Sequence, residues 1–205
     1  MTMLIPFAGL SPVPWKNGGG STTEIAVFPP DAGFDDFDWR ISLATIGADG
    51  PFSVFPGVER TLALIDGHGV TLHIDGEPTI VSAGEPVVAF EGESRVTAKL
   101  NRGPTTDFNA MTRTDRCWHQ FGRRRLDGPS NFVARAAFTV LFLAEGDSLE
   151  LCSDDERIAM VRYDAMVLDQ GTTWKLEASQ GTIFIVDIHY YDDEDDLEDE
   201  DGHYA

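Results

Sequence analysis

Two stretches of this chain follow one script, and that repetition limits the folds open to it. Thr61-Leu62-Ala63-Leu64-Ile65, a Gly-containing turn and Val70-Thr71-Leu72-His73-Ile74 recur as Thr139-Val140-Leu141-Phe142-Leu143, a Glu-Gly-Asp turn and Leu149-Glu150-Leu151. Downstream, Thr79-Ile80-Val81 and Val87-Val88-Ala89-Phe90 find counterparts in Ile158-Ala159-Met160-Val161 and Ala165-Met166-Val167-Leu168. Each copy closes on a long run, Thr106–Met111 and Thr182–Ile188; the earlier runs start 78 or 79 residues apart and these closing runs 76. The repeat is one of pattern rather than identity. It implies two similar β-barrels or sandwiches, each closing in a jelly-roll manner that hides its strand edges.

The remaining runs have the same grammar. Thr23–Phe28, Trp39–Ile46, Arg95–Leu100, Arg157–Val161 and Thr173–Leu176 alternate or are continuously apolar, and Gly, Asp or Pro separates most of them. No stretch holds a 3.6-residue period beyond about two turns. With 20 Gly, 11 Pro and 10% aromatic residues among 205, the expectation is an all-β chain of many short strands.

The net charge of −20 is unevenly placed. Asp192 to Asp201 holds nine acids in ten residues and no base, leaving 15 basic against 26 acidic residues on the body. Such a block is expected to be disordered, reading as a solubilising tail or a docking tag for a basic partner. We therefore expect a folded unit over 1–191, with halves of about 1–115 and 116–191, followed by a tail at 192–205. The acidity argues against nucleic acid, whose binding rests on neutralising phosphates. The basic cluster Arg113, Arg116, Arg123, Arg124 and Arg125, interleaved with Trp118, His119 and Phe121, then reads as pairing with the acidic body, capping a loop or bridging the halves. No apolar stretch reaches membrane-span length, the start lacks a secretory pattern, and Cys117 and Cys152 are too few for a disulfide framework. The expected address is the cytoplasm, with no membrane partner; a homodimer is compatible with all of this.

Chemistry concentrates near the start. Pro14-Trp15-Lys16-Asn17-Gly18-Gly19-Gly20 combines a flat apolar wall, a cation and three glycines. Asn-Gly before an alternating run signals a hairpin turn. Exposed amides in such turns also make concavities for anions, and Lys16 stands beside them. Within the strands, Arg40 and Ser42 fall on one face and Trp39, Ile41 and Leu43 on the other, while Asp107, Asn109 and Met111 share a face. Two readings of these polar positions stand side by side. Arg and Asp inside one barrel satisfy each other, or Arg40 or Arg60 grips a carboxylate while Asp107 and Asn109 orient polar groups and Phe55 closes the rim. The histidines at 68, 73, 119, 189 and 203 lack metal-ligand spacing, so neither a metal nor a cofactor is expected.

These same residues carry a resemblance. Pro14–Gly20 followed by Thr23-Glu24-Ile25-Ala26 resembles the signature of the HutD/Ves family. So do Phe37-Asp38-Trp39-Arg40-Ile41-Ser42, Gly50-Pro51-Phe52-Ser53 with Phe55-Pro56-Gly57, Arg60-Thr61-Leu62, and Gly103-Pro104 with Asp107-Phe108-Asn109-Ala110-Met111. The likeness is specific over the first 115 residues or so and thereafter rests on strand pattern. It implies a bicupin, two cupin-like (RmlC-like) β-barrels in one chain, without the usual cupin histidine metal site. It also implies a link to bacterial histidine utilisation, where a pathway intermediate such as urocanate or a formylated glutamate is sensed; other members are linked to cold or stress response.

The first expectation is therefore metal-independent binding of a small carboxylate, as a regulator or governor of flux. Trp15, Lys16, Asn17, Gly18, Gly19, Gly20, Trp39, Arg40, Ser42, Phe55, Arg60, Asp107, Asn109 and Met111 are its candidate site. The alternative is a cupin-type enzyme acting on a histidine-degradation intermediate, with Asp107 as general base. A third reading is a scaffold working through the acidic tail.

Overall fold

A computed structural model describes residues 2–178 and 180–191; the expected acidic tail lies outside the described residues. The first half contains β1 (Met3–Ile5), a 3₁₀ turn (Phe7–Gly9), β2 (Val13–Pro14), β3 (Gly20–Phe28), β4 (Trp39–Ile46), β5 (Gly50–Pro51) and β6 (Val58–Gly67). It continues through β7 (Val70–Ile74), β8 (Glu77–Val81), β9 (Val87–Glu91), β10 (Val96–Leu100) and β11 (Thr105–Arg113). The second half holds β12 (Cys117–Leu126), β13 (Ser130–Val133), β14 (Phe138–Glu145) and β15 (Ser148–Cys152). It ends with β16 (Arg157–Val161), β17 (Ala165–Asp169), β18 (Thr173–Glu177) and β19 (Gly181–Tyr190). The series β4–β11 is repeated as β12–β19, so the chain is a bicupin.

The first barrel faces a six-stranded sheet, β2-β3-β4-β11-β6-β9, against a four-stranded one, β5-β10-β7-β8. The second pairs β1-β17-β14-β19-β12 with β13-β18-β15-β16. One strand departs from the division by halves: β1 pairs with β17, Leu4 opposite Met166, and so completes the sheet of the second barrel. Among the described residues no helix is long and apolar enough to cross a membrane.

Strand alternation explains the layering. On β4 and β11, Trp39, Ile41, Leu43, Phe108 and Ala110 point out of the first barrel and pack against Val140, Phe142, Ala144, Phe184 and Val186 of the second. The seam is aromatic, with Phe108 4.9 Å from Phe142 between ring centroids. The other faces point into their own barrels. The second barrel is filled by Leu141, Leu143, Leu149, Leu151, Met160, Met166 and Leu176, all 0% exposed. The first carries a smaller apolar cluster of Ile46, Leu62, Val70, Leu72, Val81, Phe90, Val96 and Ala98, toward one end.

The basic cluster turns out to be mostly strand β12 and its approach. Arg116 Nη1 stands 2.7 Å from Asp38 Oδ1, tying the start of β12 to the start of β4, and Tyr190 donates to Asp38 Oδ2 at 3.1 Å. His119 is buried in the seam between Thr61 (Nε2–Oγ1, 2.9 Å) and Thr112 (Nδ1–Oγ1, 2.7 Å). Burial holds its pKa down at about 4, so it is neutral at physiological pH.

Candidate functional site: an arginine-lined cavity in the first barrel

The polar positions of the first barrel converge on a cavity of about 920 Å³, large enough for a metabolite. Its inner wall comes from adjacent strands in register. Arg40 on β4 and Arg60 on β6 both stand opposite Met111 of β11, and Ser42 and Leu62 both stand opposite Asn109. Alternation then aims Arg40, Ser42, Arg60, Leu62, Asn109 and Met111 into one space, and each of them lines it. The mouth is formed by Lys16 and Trp15, the 52–56 segment and Phe34.

The two guanidiniums have different surroundings. Arg40 is neutralised: its Nε donates to Glu24 Oε2 at 2.7 Å, and Phe34 covers it with the ring centroid 5.0 Å away. Arg60 is 6% exposed and enclosed by Phe90, Phe52 and Phe55, at 4.9, 5.4 and 5.4 Å from ring centroid to Cζ. Its polar contacts are long and neutral, Nη2 to Asn109 Oδ1 at 3.3 Å and Nη1 to the Ser53 carbonyl at 3.5 Å, and its Nε has no partner. Among the described residues, Arg60 makes no ion pair. Burial, with a smaller push from Arg40, lowers its pKa to about 10. It is therefore still a cation at neutral pH: a desolvated charge without a counter-ion, a costly arrangement that an anion would relieve.

The glycine run does something other than cradle an anion. Gly18 donates to the Trp15 carbonyl at 3.0 Å and Gly19 donates to Asn17 Oδ1 at 2.9 Å, so both amides are spent inside the turn. Gly18 takes a positive φ of 71°, open to glycine at little cost. A Cβ on Gly20 would run into the Thr45 carbonyl oxygen and the Trp15 ring. The glycines thus let the turn close so that Trp15, anchored by Nε1 to Thr22 Oγ1 at 2.8 Å, lies flat as a wall of the cavity.

Of the residues singled out from sequence, Trp15, Lys16, Asn17, Arg40, Ser42, Phe55, Arg60, Asn109 and Met111 line the cavity. Gly18, Gly19 and Gly20 do not; they shape its rim. Trp39 points the other way, into the seam, stacked on Phe28 at 5.9 Å, as the alternation that aims Arg40 inward requires. Asp107 faces inward beneath Asn109, between Ala44 and Leu64, but it is fully enclosed. Neither carboxylate oxygen has a hydrogen-bond partner, and burial raises its pKa to about 7. It is not the counter-ion of Arg40 or Arg60. Glu24, Phe34, Phe52 and Arg113 complete the site without having been singled out. Glu24 sits on the inward-facing side of β3, so alternation alone could have found it. Arg113 holds the mouth by donating from Nε to the Phe37 carbonyl and from Nη2 to the Phe34 carbonyl, both at 3.2 Å.

A carboxylate–thiol group exists elsewhere. Glu150, Cys152 and Glu177 bring ligand atoms within 4.8 Å on the small sheet of the second barrel, where Glu150 pairs with Arg157 and Glu177 with Lys175.

Comparison with known proteins agrees with this architecture. The model of the HutD family matches residues 8–185. The chain belongs to the HutD family. Protein Ves of Cronobacter sakazakii is 42% identical over 177 residues, 86% of this chain and 92% of that one. A 21.2 kDa protein from the region 3′ of hutC in Pseudomonas putida is 38% identical over 157 residues, covering 77% and 81%. Among solved structures, HutD from Pseudomonas fluorescens SBW25, in a formate condition, superimposes with a TM-score of 0.78 at 28% identity, covering 94% of this chain and 100% of that one. Salicylate 1,2-dioxygenase from Pseudoaminobacter salicylatoxidans, at 11% identity and a TM-score of 0.60 over 91% and 81% of the chains, shares the fold alone. The family is thus linked to histidine utilisation.

Proposed function

We propose that the first barrel binds a small carboxylate of histidine breakdown, such as urocanate or N-formylglutamate, and that the protein serves as a sensor or governor of that flux. The observation that carries this reading is Arg60, a buried cation that faces the cavity and pairs with no carboxylate among the described residues. A ligand carboxylate takes the unpartnered Nε together with one Nη in a bidentate pair, adding charge-assisted contacts to the long neutral ones. Trp15, Phe52 and Phe55 cover the planar or apolar part, and Ser42 and Asn109 fix orientation. Glu24 holds Arg40 in place and spares the site two unmatched cations.

An enzyme using Asp107 as base is the weaker reading, because that carboxyl is enclosed and held neutral up to about pH 7. A base must reach the proton it abstracts. The test is a thermal-shift titration with histidine, urocanate, formiminoglutamate, N-formylglutamate and glutamate, followed by NMR of each mixture. A concentration-dependent rise in melting temperature with the compound recovered intact supports binding. A converted compound establishes an enzyme, and no shift with any of them removes the assignment.

A further inference from the structure

The cavity is larger and more apolar than its charged end requires. Its volume of about 920 Å³ equals the share of about 30 waters in the liquid, and an acid of urocanate's size held at Arg60 displaces only a fraction of them. The way out from Arg60 is aromatic. Phe55 lies 5.4 Å from the Arg60 Cζ and, between ring centroids, 5.7 Å from Phe34. Phe34 is 59% exposed, so this chain of contacts runs from a buried guanidinium to the surface. Val13 and Val54, 66% and 52% exposed, line the same cavity. Single exposed apolar side chains are ordinary, but three around one opening point to an apolar guest. The arginines at this end are engaged: Arg40 pairs with Glu24 beneath Phe34, and Arg113 donates to the Phe34 and Phe37 carbonyls. Lys16 and Asp35 also line the cavity. A lysine can lay its methylene stem along an apolar ligand and keep its ammonium in water.

We propose that the first barrel also takes a second class of ligand, amphipathic monocarboxylates, with the carboxylate on Arg60 and an aliphatic or aryl body running past Phe55 to Phe34, Val54 and Val13. This rests on the carboxylate reading of Arg60 and extends it. The driving force differs between the two classes. A small polar acid gains affinity at the guanidinium and its polar neighbours. An amphipathic acid gains further with each methylene that leaves water along the aromatic path, and it covers apolar side chains that otherwise face solvent.

The test is calorimetric titration of the full chain with butyrate, hexanoate and octanoate, each below its micelle concentration, and with octanol. Affinity is expected to rise about three- to fourfold per added methylene. Octanoate is expected to bind once per chain and to lose about tenfold in Arg60→Met. Octanol, which lacks the charged head, is expected to bind about tenfold or more weakly than octanoate. Phe34→Ser and Val54→Ser alter side chains that are more than half exposed, so neither disturbs the core. Each is expected to cut the octanoate-to-butyrate affinity ratio about threefold or more. Equal affinity along the acid series, or a ratio that neither substitution moves, overturns the inference. So does octanol binding as tightly as octanoate. The two readings fail separately. N-formylglutamate binding with a flat acid series removes the amphipathic class and keeps the carboxylate site. Octanoate binding that depends on Arg60 and Phe34, with no binding of N-formylglutamate or urocanate, removes the histidine-breakdown ligands and keeps this class.

Discussion

At matching steps of the two barrels, Arg40 opposite Met111 and Ser42 opposite Asn109 in the first become Trp118 opposite His189 and Gln120 opposite Asp187 in the second. The second set is self-contained. Trp118 stacks on His189 with centroids 4.2 Å apart, and Asp187 accepts from Thr139 at 2.5 Å. Behind it lies an interior of leucines, methionines and Trp174. The first set faces open space, with one guanidinium unmatched and one carboxyl, Asp107, buried without partners. The counterpart of Asp107 is Ile185, which stands opposite Gly122 and Leu141 and packs on the second core. One strand plan thus gives a packed interior in one copy and an arginine-lined cavity in the other.

The sharpest way to break this comparison is to hollow the second barrel. Leu141→Ala, at a fully buried position, is expected to cost about 3 kcal/mol, within the usual 2–5 kcal/mol range. Urea unfolding measures it, and a loss below about 1 kcal/mol would mean that this interior is not closely packed.

A second change runs the other way. Asp107→Leu makes the first barrel resemble the second by removing an unpartnered buried carboxyl. It is expected to stabilise the fold by about 1–3 kcal/mol. Destabilisation would show that Asp107 has partners in solution.

A third, smaller effect lies in the pH dependence. The fold keeps the proton of Asp107 up to about pH 7, while the unfolded carboxyl loses it near 3.8, so its contribution to stability falls as pH rises through that window. The fold also refuses a proton to His119 until about pH 4, while the unfolded imidazole takes one near 6.5, so its contribution falls as pH drops through that window. Each slope is about 1.4 kcal/mol per pH unit, and they oppose each other between about pH 4 and 6.5. In Asp107→Asn the His119 slope stands alone, so stability in urea is expected to rise with pH across that interval more steeply than in the unaltered chain. Identical profiles would contradict the burial assigned to Asp107.

Much of the fold was legible because apolar alternation survives in the strands: the runs Trp39–Ile46, Val70–Ile74 and Arg157–Val161 coincide with β4, β7 and β16. β12 was hidden. Its Arg123, Arg124 and Arg125 erase the apolar period, because a strand at the edge of its sheet can carry charge that an inner strand cannot. The crossing of β1 into the second barrel was hidden too, since three residues hold no pairing preference that sequence can reveal. In the site, alternation placed Arg40, Ser42, Asn109 and Met111 together and turned Trp39 away. What it could not give was distance. Arg40 and Glu24 meet only because β3 and β4 pair, and the aromatic enclosure of Arg60 draws Phe90 from β9 and Phe52 and Phe55 from the segment after β5. The glycine run reads from sequence both as a hairpin turn and as an anion cradle; the turn forms, and the Gly18 and Gly19 amides are used inside it, where they help seat Trp15.

The claim that the first barrel is the ligand compartment and Arg60 its anchor is tested most directly by calorimetric titration of N-formylglutamate and urocanate. The proteins compared are the unaltered chain, Arg60→Met, and Gln120→Ala in the second barrel. The account predicts at least about a tenfold loss of affinity in Arg60→Met, as expected for a charge-assisted contact of 1.5 kcal/mol or more. It also predicts a melting temperature that does not fall, because an unpaired buried charge has been removed, and unchanged binding in Gln120→Ala. Undiminished binding by folded Arg60→Met, or a loss that follows Gln120 instead, would contradict it.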